Sequence, residues 1–219
     1  SVADIAKQLW GWALFSIALG LGITYLFGHW SAPIVAGVSL GVWAILASVA
    51  YLLGRLRTGG AMEWSKLGSM SRSTWGMLFA HAGIGVFILG VTLVRGFEST
   101  HELRMQAGDT ANVSGYTFRF LGVQELKGPN YIAARGTLEV DKGGVINTLV
   151  PEKRIYTVQR MPMTESAVDS TLFRDLYVAL GEPVSESEWI VRIQYKPMIA
   201  WVWGGALLMA LGGLLAASD

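Results

Sequence analysis

Residues 75–94 read WGMLFAHAGIGVFILGVTLV, an apolar run holding one ionisable side chain, His81. About 20 such residues carry a helix across the hydrocarbon core of a bilayer, so the length of the run sets the class of fold. Similar runs occupy residues 9–27 and 34–53 before it and 198–217 near the end. Between the last two runs lies a polar block, 96–196, patterned as strands. The expected architecture is a membrane α-helical protein with four transmembrane helices and an inserted all-β domain. Residues 1–95 hold three of the helices, 96–196 the domain and 197–219 the fourth helix.

Composition agrees. Of 219 residues, 52% are hydrophobic and only 15% charged, with mean hydropathy +0.43, against about 25% charged in soluble domains. The net charge of +1 gives no reason to expect nucleic acid as a partner. Cysteine is absent, which excludes disulfides, thiolate catalysis and cysteine-ligated metals within this chain. The chain starts at Ser1 and runs quickly into an apolar span without a visible cleavable signal. A fragment of a longer polytopic protein, or one half of a split one, is expected.

Charge sets the orientation. The loop 54–74 carries Arg55, Arg57, Lys66 and Arg72 against the single acid Glu63, so by the positive-inside rule it is cytoplasmic. The short turn near His29 and the β block then lie outside, and the C-terminus returns to the cytoplasm. Trp10 and Trp12 mark one interface of the first span, His29 and Trp30 the other, and Trp201 and Trp203 the outer end of the last span.

In the β block, Tyr116, Phe118 and Phe120 alternate with Thr117 and Arg119, a period of two. Turn signals at 127–130 and 141–144 bound further runs at 131–140 and 145–150. Residues 175–180 form another. In the last run Trp189, Val191, Ile193 and Tyr195 point one way and Arg192, Gln194 and Lys196 the other. Six or so short strands predict a small antiparallel barrel or sandwich. His101 reads as an exposed strand residue, and Glu152-Lys153-Arg154 after Pro151 as a solvated turn or a partner contact.

His81 is the principal candidate site residue. A charged group at membrane depth costs about 2.5 kcal/mol or more, so such a residue marks a functional site by default. A neutral imidazole binds metals, haem iron among them. Ala80, Ala82, Gly83 and Gly85 beside it leave room for a flat macrocycle. Gly76, Gly83 and Gly90, seven apart, form a smooth stripe. The alternative is helix packing, in which small residues permit close approach and the histidine bonds to a neighbouring helix. Gly204-Gly205 and Gly212-Gly213 read as a packing face for another helix. Ser16, Thr24, Ser39, Ser48 and Thr92 are the other polar residues in the spans, too few for a transporter path. No phosphate loop, nucleophile elbow or metal-ligand spacing is present.

An ordered set of segments carries a resemblance. It begins with Gly76-Met77-Leu78-Phe79-Ala80-His81-Ala82-Gly83 and continues with Gly115-Tyr116-Thr117-Phe118 and Pro151-Glu152-Lys153-Arg154-Ile155-Tyr156. It closes with Asp175-Leu176-Tyr177-Val178-Ala179-Leu180-Gly181, Tyr195-Lys196-Pro197 and Trp201-Val202-Trp203-Gly204-Gly205. In this order they resemble the C-terminal portion of the CcmF/NrfE family, the haem lyase subunit of bacterial cytochrome c maturation.

The resemblance implies a bacterial inner-membrane location and part of a haem lyase that joins haem to the CxxCH motifs of apocytochrome c. The segment alone is not expected to be catalytic. It further implies a membrane b-type haem, with His81 as one axial ligand, a second ligand from outside this segment, and quinol as the electron source. The implied partners are membrane lipid, the N-terminal portion of the same protein, a haem chaperone, apocytochrome c and thiol-handling maturation subunits. The competing reading is a non-catalytic scaffold whose β domain binds assembly partners and whose His81 is helix glue.

Overall fold

The computed structural model describes residues 2–26, 31–58, 61–158 and 160–219. His29, Phe27 and Trp30, which the sequence assigns to the outer end of the first span, lie outside the described residues. The chain forms two units, Ser1–Phe97 with Met198–Asp219, and Glu98–Pro197.

The first unit is helical, with α1 (Val2–Leu26), α2 (Ala32–Leu56), α3 (Arg72–Phe97) and α4 (Ile199–Ala217). Helices α2, α3 and α4 are long and apolar enough to cross a membrane, and the apolar part of α1, Trp10–Leu26, is shorter. Ser31 is extended ahead of α2, and Pro33 sits in its first turn, where a missing N–H costs nothing. Extended Arg57 ends the helix and opens β1 (Arg57–Thr58), which pairs with β2 (Ala61–Met62). A 3₁₀ turn, Trp64–Ser69, follows. At the start of α3 the Ser71 hydroxyl accepts from the Thr74 N–H at 3.2 Å, and Asp219 Oδ2 accepts from the Ser73 N–H at 3.1 Å. Both satisfy donors that a helix start leaves open.

Each helix packs against the next in chain order, and small residues set the approach. A Cβ added at Gly20 of α1 would lie 2.5 Å from Ser39 Oγ of α2, and one at Gly85 of α3 2.6 Å from the Gly41 carbonyl of α2. Gly76, Gly83 and Gly90 all face α4, where Gly212, Gly205 and Val202 meet them. The stripe is therefore a helix seam and leaves no room for a macrocycle on that side. On α4 the seam uses Gly205 and Gly212, whereas Gly204 and Gly213 meet nothing within 4 Å. The pairs do not act as wholes, because only residues seven apart stay on the seam.

Four of the span hydroxyls bond within their own helices. Ser16, Thr24, Ser39 and Ser48 donate to the carbonyls of Trp12, Gly20, Val35 and Ala44 at 2.8, 3.1, 2.6 and 2.9 Å. A polar group in an apolar medium needs such a partner.

The second unit is all β. Its strands are β3 (Ser99–Gln106), β4 (Thr110–Val113), β5 (Tyr116–Lys127), β6 (Tyr131–Lys142), β7 (Val145–Leu149), β8 (Glu152–Tyr156), β9 (Pro162–Glu165), β10 (Ala167–Ser170), β11 (Arg174–Pro183) and β12 (Glu188–Pro197). One antiparallel sheet runs β10-β11-β12-β3 and the other β4-β5-β6-β8-β9, with β7 also on β6. Strand β6 pairs β8 along Tyr131–Arg135 and β7 along Leu138–Lys142, and the Pro151 carbonyl accepts from the Gly136 N–H between them at 2.9 Å.

Alternation fills the core. Phe118, Phe120, Leu138, Leu176, Val178, Leu180, Val191 and Ile193 are fully buried, with Tyr116, Trp189 and Tyr195 against them. Ser114 and Gly115 both have positive φ, 50° and 78°, the geometry of a tight hairpin turn between β4 and β5. His101 lies exposed on β3 opposite Ile193, as its strand position predicts.

Candidate functional site

His81 sits in the third turn of α3, beside α2. A groove of about 320 Å³ opens there, lined by Trp43, Ala44, Ala47, Ser48 and Tyr51 of α2 and Met77, Leu78 and His81 of α3. Ala44, Ala47, Ser48 and Tyr51 recur at helical spacing, so one face of α2 forms a wall, and its two alanines give it depth. The Ser48 hydroxyl is turned to the Ala44 carbonyl. What remains is largely apolar.

The imidazole is exposed at the rim. Its Nδ1 lies 2.8 Å from the Met77 carbonyl, one turn earlier. A carbonyl only accepts, so the neutral ring carries its proton on Nδ1 and keeps the Nε2 lone pair for an electrophile. Metal-binding histidines are commonly set in this way, one nitrogen fixed by a backbone carbonyl and the other presented to the metal. The bond stays within α3, whereas helix glue would reach a neighbouring helix.

Among the described residues no group of three or more His, Asp or Glu side chains could hold a metal ion. A lone imidazole over an apolar groove suits iron whose equatorial donors come from a macrocycle. Tyr51 closes one end of the groove, and its hydroxyl accepts from Arg55 Nε at 3.2 Å. The sequence reading passed over Ala44, Ala47 and Tyr51 and took Arg55 only as a loop cation, whereas it lies in α2 and shares a face with the other three.

The β unit holds a polar cluster where the sequence suggested a solvated turn. Glu152 opens β8 rather than a turn, and is buried at 6% exposure. Register places Arg135 of β6 opposite it, with Nε and a terminal nitrogen each 2.6 Å from Glu152 Oε1. Arg154 Nε donates to Glu152 Oε2 at 2.7 Å, and its guanidinium lies 4.6 Å above the Tyr131 ring. Burial alone would raise the Glu152 pKa. The hydrogen bonds from Arg154 and Arg135, with their charges, outweigh it and hold the carboxyl below its ordinary value. Lys153, from the same triplet, pairs with Glu182.

Residues 96–197 match the family described as the CcmF C-terminal beta-sandwich. The cytochrome c-type biogenesis protein CcmF of Pseudomonas aeruginosa is 42% identical over 205 residues, which are 93% of this chain and 31% of that protein. The chain belongs to the CcmF family. It corresponds to the C-terminal portion of a CcmF protein, and spans about a third of the length of its CcmF relatives. CcmF of Escherichia coli K12 is 35% identical over 206 residues, 93% of this chain and 31% of that protein. The Haemophilus influenzae biogenesis protein NrfE is 30% identical over 154 residues, 70% of this chain and 24% of that protein. A solved structure titled cytochrome c heme lyase CcmF shares the fold, with TM-score 0.74 and 20% identity over 94% of this chain and 34% of that one. With its apolar helices, this CcmF-family chain is a membrane protein.

Proposed function

We propose that the chain is part of a cytochrome c haem lyase and that His81 is an axial ligand of a membrane b-type haem. The observation that carries this is the ring orientation: Nδ1 donates to the Met77 carbonyl, and Nε2 is left free at the rim of an apolar groove. The residues fit one side of such a cofactor, with apolar walls and a single imidazole. The second axial ligand then comes from outside this segment.

When bound, the haem supplies one-electron reduction, with quinol as its donor, to the iron of the incoming haem before attachment to apocytochrome c. The residues of this chain have simpler tasks. The Met77 carbonyl fixes the tautomer, and Ala44 and Ala47 keep the groove deep.

The cation-rich loop after α2 supports, by the positive-inside rule, an orientation with the groove's Tyr51 end toward the cytoplasm and the β unit in the periplasm. There the sandwich serves as a docking surface for apocytochrome c or a thiol-handling maturation subunit, with a haem chaperone as a partner of the whole protein. The N-terminal portion of the protein and membrane lipid complete the surroundings of the helices.

The test is a reduced-minus-oxidised absorption spectrum of the full-length protein beside its His81→Ala variant. The expected result is a six-coordinate b-type spectrum that is lost or turns high-spin in the variant. Identical spectra, or no haem in either sample, would return His81 to helix packing.

A further inference from the structure

The groove at His81 is closed at one end by an aromatic hydroxyl with a cation behind it. Tyr51 lines the groove, and Arg55, one turn farther along α2, donates Nε to the Tyr51 hydroxyl at 3.2 Å with its guanidinium 5.7 Å from the Tyr51 ring centre. Both side chains are exposed. Among the described residues, the two terminal nitrogens of Arg55 make no hydrogen bond. Two other cations of the same stretch are engaged. Lys66 lies 3.4 Å from Glu63, and Arg72 reaches the Ser218 carbonyl at 3.4 Å.

Helix register places this cation at a useful depth. Gly85 of α3 meets Gly41 and Ile45 of α2, and the helices run antiparallel, so His81 lies level with about Ala47. Tyr51 is then about 6 Å, and the Arg55 backbone about 12 Å, along the axis toward the cytoplasmic end, at 1.5 Å per residue. The long Arg55 side chain folds back to Tyr51, and its head stands between these levels.

Resting on the haem reading above, we infer that Arg55, steadied by Tyr51, is the carboxylate anchor of this site. It holds the propionate edge of the macrocycle toward the cytoplasmic end of the groove. The chemistry needs such a partner. A carboxylate at membrane depth is costly unless it is paired with a cation or reaches an interface, and the groove itself is apolar. A guanidinium presents its terminal nitrogens as a fork matched to a carboxylate, and tyrosine can hold that fork in place. A phosphate headgroup of an anionic lipid presents similar oxygens, and the test separates the two.

In the full-length protein, Arg55→Gln, Arg55→Lys and Tyr51→Phe would be compared with wild type by redox titration of the b-type haem, by haem content and by copurified lipid. A positive charge beside the propionates favours the reduced haem. Arg55→Gln is therefore expected to keep the six-coordinate spectrum, shift the midpoint potential to more negative values and lower haem retention. Arg55→Lys should recover most of the potential, and Tyr51→Phe should give a smaller shift of the same sign.

An Arg55→Gln protein with wild-type potential and haem content overturns the inference. If it also loses copurified anionic lipid, Arg55 belongs to a headgroup. A His81→Ala protein that retains the wild-type spectrum overturns the ligation reading instead, and with it the groove as the place of the propionates.

Discussion

Gly83 of α3 and Gly205 of α4 are pressed backbone to backbone. A Cβ on either would stand 2.8 Å from the carbonyl oxygen of the other. No side chain lies between them to rotate away, so the helices themselves must separate to admit one. Gly83→Val is expected to destabilise the helical unit by about 1–3 kcal/mol, the range for overpacking a filled interior. Gly204→Val, on the open face of α4, should cost only a few tenths. Thermal unfolding of both variants in the same detergent decides it. Equal midpoints would mean that α3 and α4 do not share this seam.

What the sequence revealed depended on whether the signal was local. Strands β5 and β12 were legible because Phe118 and Val191 sit on two-residue alternations, and β6 because turn signals bound it at both ends. Strands β9 and β10 have four residues each and lie at sheet edges, too short and too exposed to show a period. Glu152 looked like part of a solvated turn because its partner Arg135 is brought to it by strand register. His81 stood out because an ionisable group in an apolar run is rare. Its groove did not, since Ala44, Ala47 and Tyr51 acquire meaning only once α2 is laid against α3.

Glu152 makes stability acid-sensitive. Its folded pKa lies below the unfolded one, so its contribution is full above the unfolded value and is lost as pH falls through the folded value. Removing one partner of a fully buried pair costs about 3–5 kcal/mol. Here Arg135 is 42% exposed and can be hydrated, so Glu152→Gln is expected to cost nearer 2 kcal/mol at neutral pH. The variant should also lose stability less steeply on acidification. Denaturant melts at pH 7 and pH 4 check both, and parallel acid slopes in wild type and variant would sink the assignment.

Phe118 sits at the centre of the sandwich with no exposed surface. Phe118→Ala removes a ring that neighbouring strands cannot replace, at a cost of about 3–5 kcal/mol. Thr117→Ala, one residue along and facing out, loses one exposed hydrogen bond to Asn112 Oδ1 and should cost far less. Circular dichroism melts that monitor the β signal would show the contrast, and similar losses at both positions would mean that the strand register is wrong.

The groove reading makes a demand separate from ligation itself. Ala47 of α2 and His81 of α3 line the same 320 Å³ space, so a larger side chain at 47 fills it while leaving the imidazole and its bond to the Met77 carbonyl intact. Ala47→Leu is expected to lower the b-type haem content of the full-length protein several-fold. The fold should survive, because the added methyl groups enter open space. Ala47→Ser, nearly the same size, should keep the cofactor. Pyridine haemochrome content, measured beside the melting temperature of each variant, separates blocked binding from unfolding. If the leucine variant melts normally and carries a full complement of haem, the macrocycle does not occupy this groove, and His81 must meet its iron from the other side of the rim.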